Sequence, residues 1–363
     1  MAKESTDMIG AHSVGSDAER LRERLPLGAA TLCNRVFMAP LSGISDVPFR
    51  RLARRFGAGM VVSEMVASGE FARGDTESAM RAMRDSDGVH VVQLAGREVG
   101  WMRAAAERLS DGGVDVIDIN MGCPAKKVVG GLSGSALMRD LDHALRLVEA
   151  TVAGAGGVPV TLKMRLGWDR TTINAPELAR RAEAAGIRMV TVHGRTRDQF
   201  YDGSADWKAI AAVKAAVTIP VVANGDLTRL ADVPAMLGAS GADAVMIGRA
   251  ACGRPWLPGL FAGACTVADL AAIDAAGFVI AHYEAMLEHY GPSVGLRHAR
   301  KHLGWYCDGL AAFPERLSAS ERAALLAARD PGAVMGQLLR LFDGLSLADL
   351  EAVDPACELR RAA

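Results

Sequence analysis

The chain has 363 residues, half of them apolar, which suffices for one large domain and a small second one. Its 41 Lys and Arg are offset by 42 Asp and Glu, so a net charge of −1 does not announce a nucleic-acid binder, and any basic patch must be local. No apolar run reaches membrane-spanning length, so a soluble protein without a membrane partner is expected.

Residues 1–22 are polar, lack the apolar stretch of a secretory signal, and are expected to form a disordered tail. From 23 to 262 the pattern is strand, turn, helix, repeated. Short apolar runs predict strands at Val36–Ala39, Met60–Ser63, His90–Leu94, Val116–Asn120, Val160–Lys163, Met189–His193, Val221–Asn224 and Ala244–Gly248. Amphipathic segments such as Glu98–Leu109, Leu137–Val152, Pro176–Ala185 and Trp207–Ala215 lie between them. Eight such units match a (β/α)8 TIM barrel. An open doubly wound sheet is the alternative, but it would carry a Gly-rich phosphate fingerprint after its first strand, and Ala39-Pro40-Leu41-Ser42-Gly43 is not that.

Residues 266–348 read differently, as a small all-helical bundle with helices at Ala271–His289, Gly295–Cys307, Glu321–Ala328 and Ala333–Gly344. Gly309, Pro314 and Pro331 are the expected breaks, and 349–363 is expected to be a tail. The six cysteines, at 33, 123, 252, 265, 307 and 357, have no CxxC spacing. That argues against a zinc or iron–sulfur site and for a reducing cytoplasm, so no metal is expected.

In a barrel, catalytic groups come from the C-terminal ends of strands. Polar residues collect there in this chain, from Pro40-Leu41-Ser42 and Ser63-Glu64 at the first two strands to Gly248-Arg249 at the last. The fourth strand runs into Asn120-Met121-Gly122-Cys123-Pro124, which presents one thiol on a turn, with Lys126 and Lys127 just beyond. A Gly-rich stretch, Val129–Ser135, follows and reads as a mobile lid. Asn224-Gly225-Asp226 and Gly248-Arg249 end strands seven and eight, the usual phosphate position in this fold, where glycine backbone and one cation suit an anion. With Gln93 and Lys163 deeper in the barrel, the site could hold flavin mononucleotide (FMN). Gln93 would meet the polar edge of the isoalloxazine, and Lys163 would favour negative charge on the reduced ring.

Several motifs now agree in order. Ala39-Pro40-Leu41-Ser42-Gly43-Ile44-Ser45-Asp46-Val47-Pro48-Phe49-Arg50 resembles the opening signature of the tRNA-dihydrouridine synthases. Ile119-Asn120-Met121-Gly122-Cys123-Pro124-Ala125-Lys126-Lys127 resembles their catalytic motif. Lys163-Met164-Arg165, His193-Gly194-Arg195-Thr196, Asn224-Gly225-Asp226 and Gly248-Arg249 resemble their remaining flavin and substrate motifs. Arg297-His298-Ala299-Arg300-Lys301-His302, followed by Trp305, resembles the basic helix of their C-terminal domain. The resemblance covers about Pro26 to Leu347 and is nearest to the bacterial B-type branch. Two stretches depart from it: Leu41-Ser42-Gly43-Ile44-Ser45 stands where Met-Ala-Gly-Ile-Thr is frequent, and the loop after the lysines is uncharged.

The resemblance implies an enzyme that reduces the uracil C5=C6 bond in tRNA, with FMN as cofactor and NADPH as reductant. Hydride would pass from flavin N5 to C6, and Cys123 would protonate C5. Pro40, Leu41, Ser42, Gln93, Lys163 and His193 would line the flavin. Asn224, Gly225, Asp226, Gly248 and Arg249 would complete its site. Asn120, Lys126, Lys127, Arg165, Arg297, His298, Arg300 and Lys301 would face tRNA. Arg297 and Lys301 lie four apart and share a helical face, as a phosphate-gripping pair would. The implied enzyme is a monomer in the cytoplasm and does not bind DNA. Two alternatives stay open on the residues alone: an FMN barrel that reduces a free pyrimidine or small activated alkene, and a tRNA-binding or regulatory protein without catalysis.

Overall fold

The computed structural model describes residues 19–351. Residues 1–18 and 352–363, which include most of both expected tails and Cys357, lie outside the described residues. Residues 19–22, expected in the polar tail, make a helical turn. Leu21, its apolar member, is wholly buried in the core, and Arg20 pairs with Asp243 at 3.2 Å.

Eight parallel strands close into a barrel: β1 (Val36–Met38), β2 (Met60–Ala67), β3 (Val91–Ala95), β4 (Val116–Met121), β5 (Val160–Arg165), β6 (Met189–His193), β7 (Val221–Asn224) and β8 (Ala244–Ile247). Closure is made by β8 on β1, with Val245 opposite Val36 and Ile247 opposite Met38. This is the (β/α)8 barrel read from the sequence, and the open sheet is excluded. β2 continues past Ser63 to Ala67, with a register shift between Val62 and Met65. Around the strands lie α1 (Val47–Arg55), α2 (Val99–Asp111), α3 (Leu141–Gly154), α4 (Ala175–Ala184), α5 (Trp207–Ala216) and α6 (Val233–Ser240).

Two apolar layers explain why the strands are apolar on both faces. Outward residues such as Ile117, Ile119, Leu162 and Val190 pack against the helices. Inward residues at the strand starts, including Phe37, Met60, Val91, Val116, Met189 and Val222, fill the lower barrel. The sequence reading missed an antiparallel hairpin, Leu25–Leu27 with Ala30–Leu32, that closes this lower end. Its Leu25, Leu27 and Leu32 join the interior cluster, and each such side chain stabilises the fold by about 1.5–3 kcal/mol when fully buried. The barrel interior is therefore apolar below and polar at the mouth.

The helical region contains α7 (Ala275–Tyr290), α8 (Pro292–Asp308), α9 (Ala319–Ala327) and α10 (Pro331–Phe342) around its own core. The expected start of α7 at Ala271 shifts because the Asp274 carboxylate accepts from the Gly277 amide at 2.6 Å and caps the helix there. Pro292 and Pro331 occupy the first turns of α8 and α10, where a missing N–H costs nothing. Phe56 from the end of α1 packs on Trp256 and Phe278 at 6.0 and 5.8 Å between ring centres. Tyr290 donates to the Asp46 carboxylate at 3.1 Å. The bundle is thus seated on α1, beside the loop that follows β1. No described helix is long and apolar enough to cross a membrane.

Candidate active site

A cavity of about 400 Å³ opens at the C-terminal mouth of the barrel. Strand register brings the polar ends together there: Asn120 lies opposite Lys163, Arg165 opposite His193, and His193 opposite Asn224. The wall contains Pro40, Leu41, Ser42, Gln93, Asn120, Cys123, Lys163, Arg165, His193, Asn224, Gly225, Asp226, Gly248 and Arg249. Every residue expected at the flavin is therefore at one mouth, together with the thiol.

The β7 and β8 ends form an anion cradle. Among the described residues, the amides of Gly225, Asp226, Leu227 and Thr228, and those of Gly248 and Arg249, donate to no other group. Such unpaired N–H groups suit a phosphate. Gly225 has φ +118, and a Cβ there would come within 2.7 Å of the His193 ring, so only glycine fits. The Trp207 indole donates to the Gly225 carbonyl at 2.8 Å, and the Asn224 amide donates to the Met246 carbonyl at 2.8 Å, joining the two loops.

Asp226 has a different part from the one its motif suggested. Its carboxylate takes two hydrogen bonds from Arg195, at 2.9 and 2.6 Å, and one from the Ala205 amide at 2.8 Å. Arg249 lies 3.6 Å from the same carboxylate and over the Tyr201 ring at 4.4 Å. Asp226 therefore holds two guanidinium groups beside the cradle. Arg195, inside the His193-Gly194-Arg195-Thr196 motif but not among the expected site residues, is only 2% exposed and also donates to the Asp202 and Gly203 carbonyls. Burial, together with the charges of Arg165, Lys163, Arg195 and Arg249, holds His193 well below its ordinary pKa, so its imidazole is neutral.

The Lys163 ammonium makes no hydrogen bond or ion pair among the described residues. Burial is the main cause that pushes its ammonium down to about 8; Arg165 adds to the effect, and Asp118 and Cys123 oppose it.

The turn carrying Cys123 is held from three sides. The Asn120 carboxamide oxygen accepts from the Gly122 and Cys123 amides at 3.1 and 3.0 Å. Arg165 donates to the Gly122 carbonyl at 2.9 Å, and Ser135 donates through its hydroxyl to the Cys123 carbonyl at 2.8 Å. Cys123 itself is partly exposed at the cavity wall. The stretch read as a mobile lid is ordered locally, as a one-turn helix at Lys126–Gly130 and a 3-10 segment at Gly134–Arg139. Gly134 has φ +60 and lies close enough to the Cys123 carbonyl that a Cβ would be 2.8 Å from it.

The residues expected to face tRNA are distributed unevenly. Lys126 and Lys127 are exposed beside the thiol turn. Arg165 is 1% exposed, and its remaining bonds go to the Thr196 and Phe200 carbonyls, so it ties three mouth loops together. Arg297 and Lys301 are exposed on α8. The Lys301 ammonium reaches Gly43, so this helix borders the loop after β1 rather than standing apart from the cavity. The Gly43 amide donates to Glu64, a buried carboxylate at the β2 end. His298 stacks on Tyr290 at 4.4 Å, and Arg300 is half buried. Across the mouth, Trp168 lies between Arg139 and Arg197, at 4.8 and 4.6 Å from their guanidinium carbons. Sequence reading missed that cluster because its members come from three separate loops.

A closed (β/α)8 barrel with unpaired amides at the β7 and β8 ends, an unpaired lysine ammonium and a thiol at the same mouth has the form of a barrel enzyme. The Dihydrouridine synthase (Dus) family matches residues 37–325. A probable tRNA-dihydrouridine synthase of Rhizobium leguminosarum bv. phaseoli is 55% identical over 319 residues, 88% of this chain and 98% of that protein. A tRNA-dihydrouridine synthase B of Xanthomonas axonopodis pv. citri is 44% identical over 326 residues, 88% of this chain and 96% of that protein. Among solved structures, a morphinone reductase variant in complex with tetrahydroNAD superposes with a TM-score of 0.50 at 16% identity, over 68% of this chain and 91% of that one, a likeness of fold. The chain belongs to the dihydrouridine synthase family.

Proposed function

We propose that this protein is a tRNA-dihydrouridine synthase that uses FMN and NADPH to reduce the C5=C6 bond of uridines in tRNA. The observation that carries the reading is the partly exposed Cys123 thiol facing an anion cradle and Lys163 across one cavity. The cavity fits FMN: unpaired amides and Arg249 suit the phosphate, Pro40, Leu41 and Ser42 offer a wall, and Lys163 is a cation without a partner. Bound FMN, reduced by NADPH, supplies the hydride for C6. The Cys123 thiol gives its proton to C5, which completes addition of H2 across the double bond. Asn120 holds the turn that aims the thiol, and Arg165 secures that turn to the β6 loop.

Placement supports a division of labour. Residues 23–262 bind the cofactor and carry out the reduction, and residues 266–348 bind tRNA, with Arg297, His298, Arg300 and Lys301 on the basic helix and Lys126 and Lys127 at the mouth. A uridine in folded tRNA must leave its stack to enter such a cavity. The protein acts as a cytoplasmic monomer. Dihydrouridine content in tRNA from a deletion strain, measured by nucleoside mass spectrometry, tests the reading. Loss of the nucleoside, with recovery on complementation, is expected; unchanged content would overturn it.

Two further outcomes follow. The Lys163 charge is present below about pH 8 and disappears as pH rises through that value. Binding of FMN to the flavin-free protein should therefore weaken across that range, and Lys163→Arg should move the loss to higher pH. A dissociation constant independent of pH would remove Lys163 from the site. Secondly, Arg297→Glu with Lys301→Glu should weaken tRNA binding and leave flavin in place. Each lost phosphate contact should lower the slope of log affinity against log salt by roughly 0.7–0.9. Equal slopes for both proteins would mean that this face is only solvated.

A further inference from the structure

Beneath the thiol turn lies a row of buried polar side chains that ends at Asp118, a residue with no part of its own in the proposed reaction. The Asn120 carboxamide oxygen accepts two backbone amides, from Gly122 and Cys123. Its nitrogen must then be the end that donates to the Gln93 oxygen, at 2.7 Å. With its oxygen so engaged, Gln93 turns its own nitrogen to the Asp118 carboxyl, at 2.7 Å. The other Asp118 oxygen takes the Thr161 hydroxyl at 2.6 Å. The direction of the bonds from Asn120 through Gln93 to Asp118 is thus dictated by the two peptide N–H groups at the cysteine end. The chain needs an acceptor at its far end, and Asp118 is that acceptor. Gln93, Asp118, Asn120 and Thr161 are all buried, so each relies on its partner in the row.

We infer that Asp118 is a positioning residue for Cys123, setting the orientation of Gln93, through it that of Asn120, and through Asn120 the turn that aims the thiol. The inference rests on the proposed reduction of uridine for its consequence in rate, but not for its geometry. Period-two alternation puts Asp118 inward between Ile117 and Ile119, which pack outward. Burial raises its carboxyl above the ordinary range, with Thr161, Gln93 and Lys163 opposing. What the row requires at this position is an acceptor for Gln93, which an uncharged isostere also supplies. Asparagine does so: its oxygen can face Gln93 while its nitrogen faces the Thr161 oxygen. Valine, similar in size and suited to a strand, offers no acceptor.

The test compares Asp118→Val and Asp118→Asn in the flavin-loaded full chain. Alkylation of Cys123 by iodoacetamide is followed by peptide mass spectrometry, beside kcat and KM for tRNA. The valine variant should lose about 10- to 100-fold in kcat, the range for a small misplacement of a reacting group. It should keep its KM and its colour and alkylate faster at Cys123. The asparagine variant should restore both rates. Gln93→Met cuts the row one link nearer the thiol and should reproduce the faster alkylation if the valine variant does not fold. Wild-type kcat and alkylation in the valine variant would overturn the inference. So would equal impairment of the asparagine variant, which would make the carboxylate itself the requirement. Loss of colour with valine would also overturn it, because the row would then hold the cofactor instead. A wild-type protein that makes no dihydrouridine would overturn the proposed function instead, and the alkylation comparison would still decide the role of Asp118.

Discussion

Cys123→Ala should yield a yellow protein that still oxidises NADPH but makes almost no dihydrouridine in tRNA. The thiol sits on a turn held by Asn120, Arg165 and Ser135, none of which depends on the sulfur. Removing it leaves the anion cradle at β7 and β8 and the Lys163 side chain in place. The only loss is the proton donor for C5, and general acids contribute about 10²–10⁴-fold. Water admitted to the mouth can deliver a proton slowly, so a small residual rate is expected. Single-turnover reduction of tRNA by pre-reduced enzyme separates this step from flavin reduction. A wild-type rate in that assay would take Cys123 out of the mechanism.

Gly225→Val should abolish FMN retention. At φ +118 an L-residue is strained, at a cost of about 1–3 kcal/mol. The first added carbon would lie 2.7 Å from both the His193 ring and the Ala205 methyl. The loop cannot move away cheaply, because Trp207 holds the Gly225 carbonyl and Arg195 holds Asp226. Loss of the cradle should weaken FMN by at least about 100-fold, equivalent to roughly 2.7 kcal/mol. Equilibrium dialysis of FMN, with circular dichroism to confirm the barrel, checks this. Unchanged affinity would place the phosphate elsewhere in the mouth.

How much of this could be read beforehand differs from element to element. The barrel strands were legible because each is a short apolar run bounded by turn residues, and eight in succession with intervening helices admit few topologies. The hairpin at Leu25–Leu32 was not. Its strands are three residues long, too short to show a period, and only the open lower end of the barrel explains the burial of its leucines. The start of α7 was misplaced because Ala271–Ile273 continues the apolar pattern, whereas the Asp274 cap decides where the helix begins.

The same division runs through the site. Strand position alone determined that Gln93, Asn120, Lys163, His193, Asn224 and Gly248 would gather, since parallel strands in a closed barrel bring their C-terminal ends to one mouth. Local glycine and cysteine chemistry determined where an anion and a proton donor would be sought. What each polar group does there was decided only by the tertiary structure. Asp226 and Arg165 look in sequence like groups aimed at ligands, yet the first binds Arg195 and the second binds backbone carbonyls. Lys301 looks remote at the far end of the chain, yet it reaches Gly43. The reason is physical: a strand's period fixes the face a side chain takes, but its hydrogen-bond partners come from other strands and loops, up to hundreds of residues away, and are specified only once the barrel has closed.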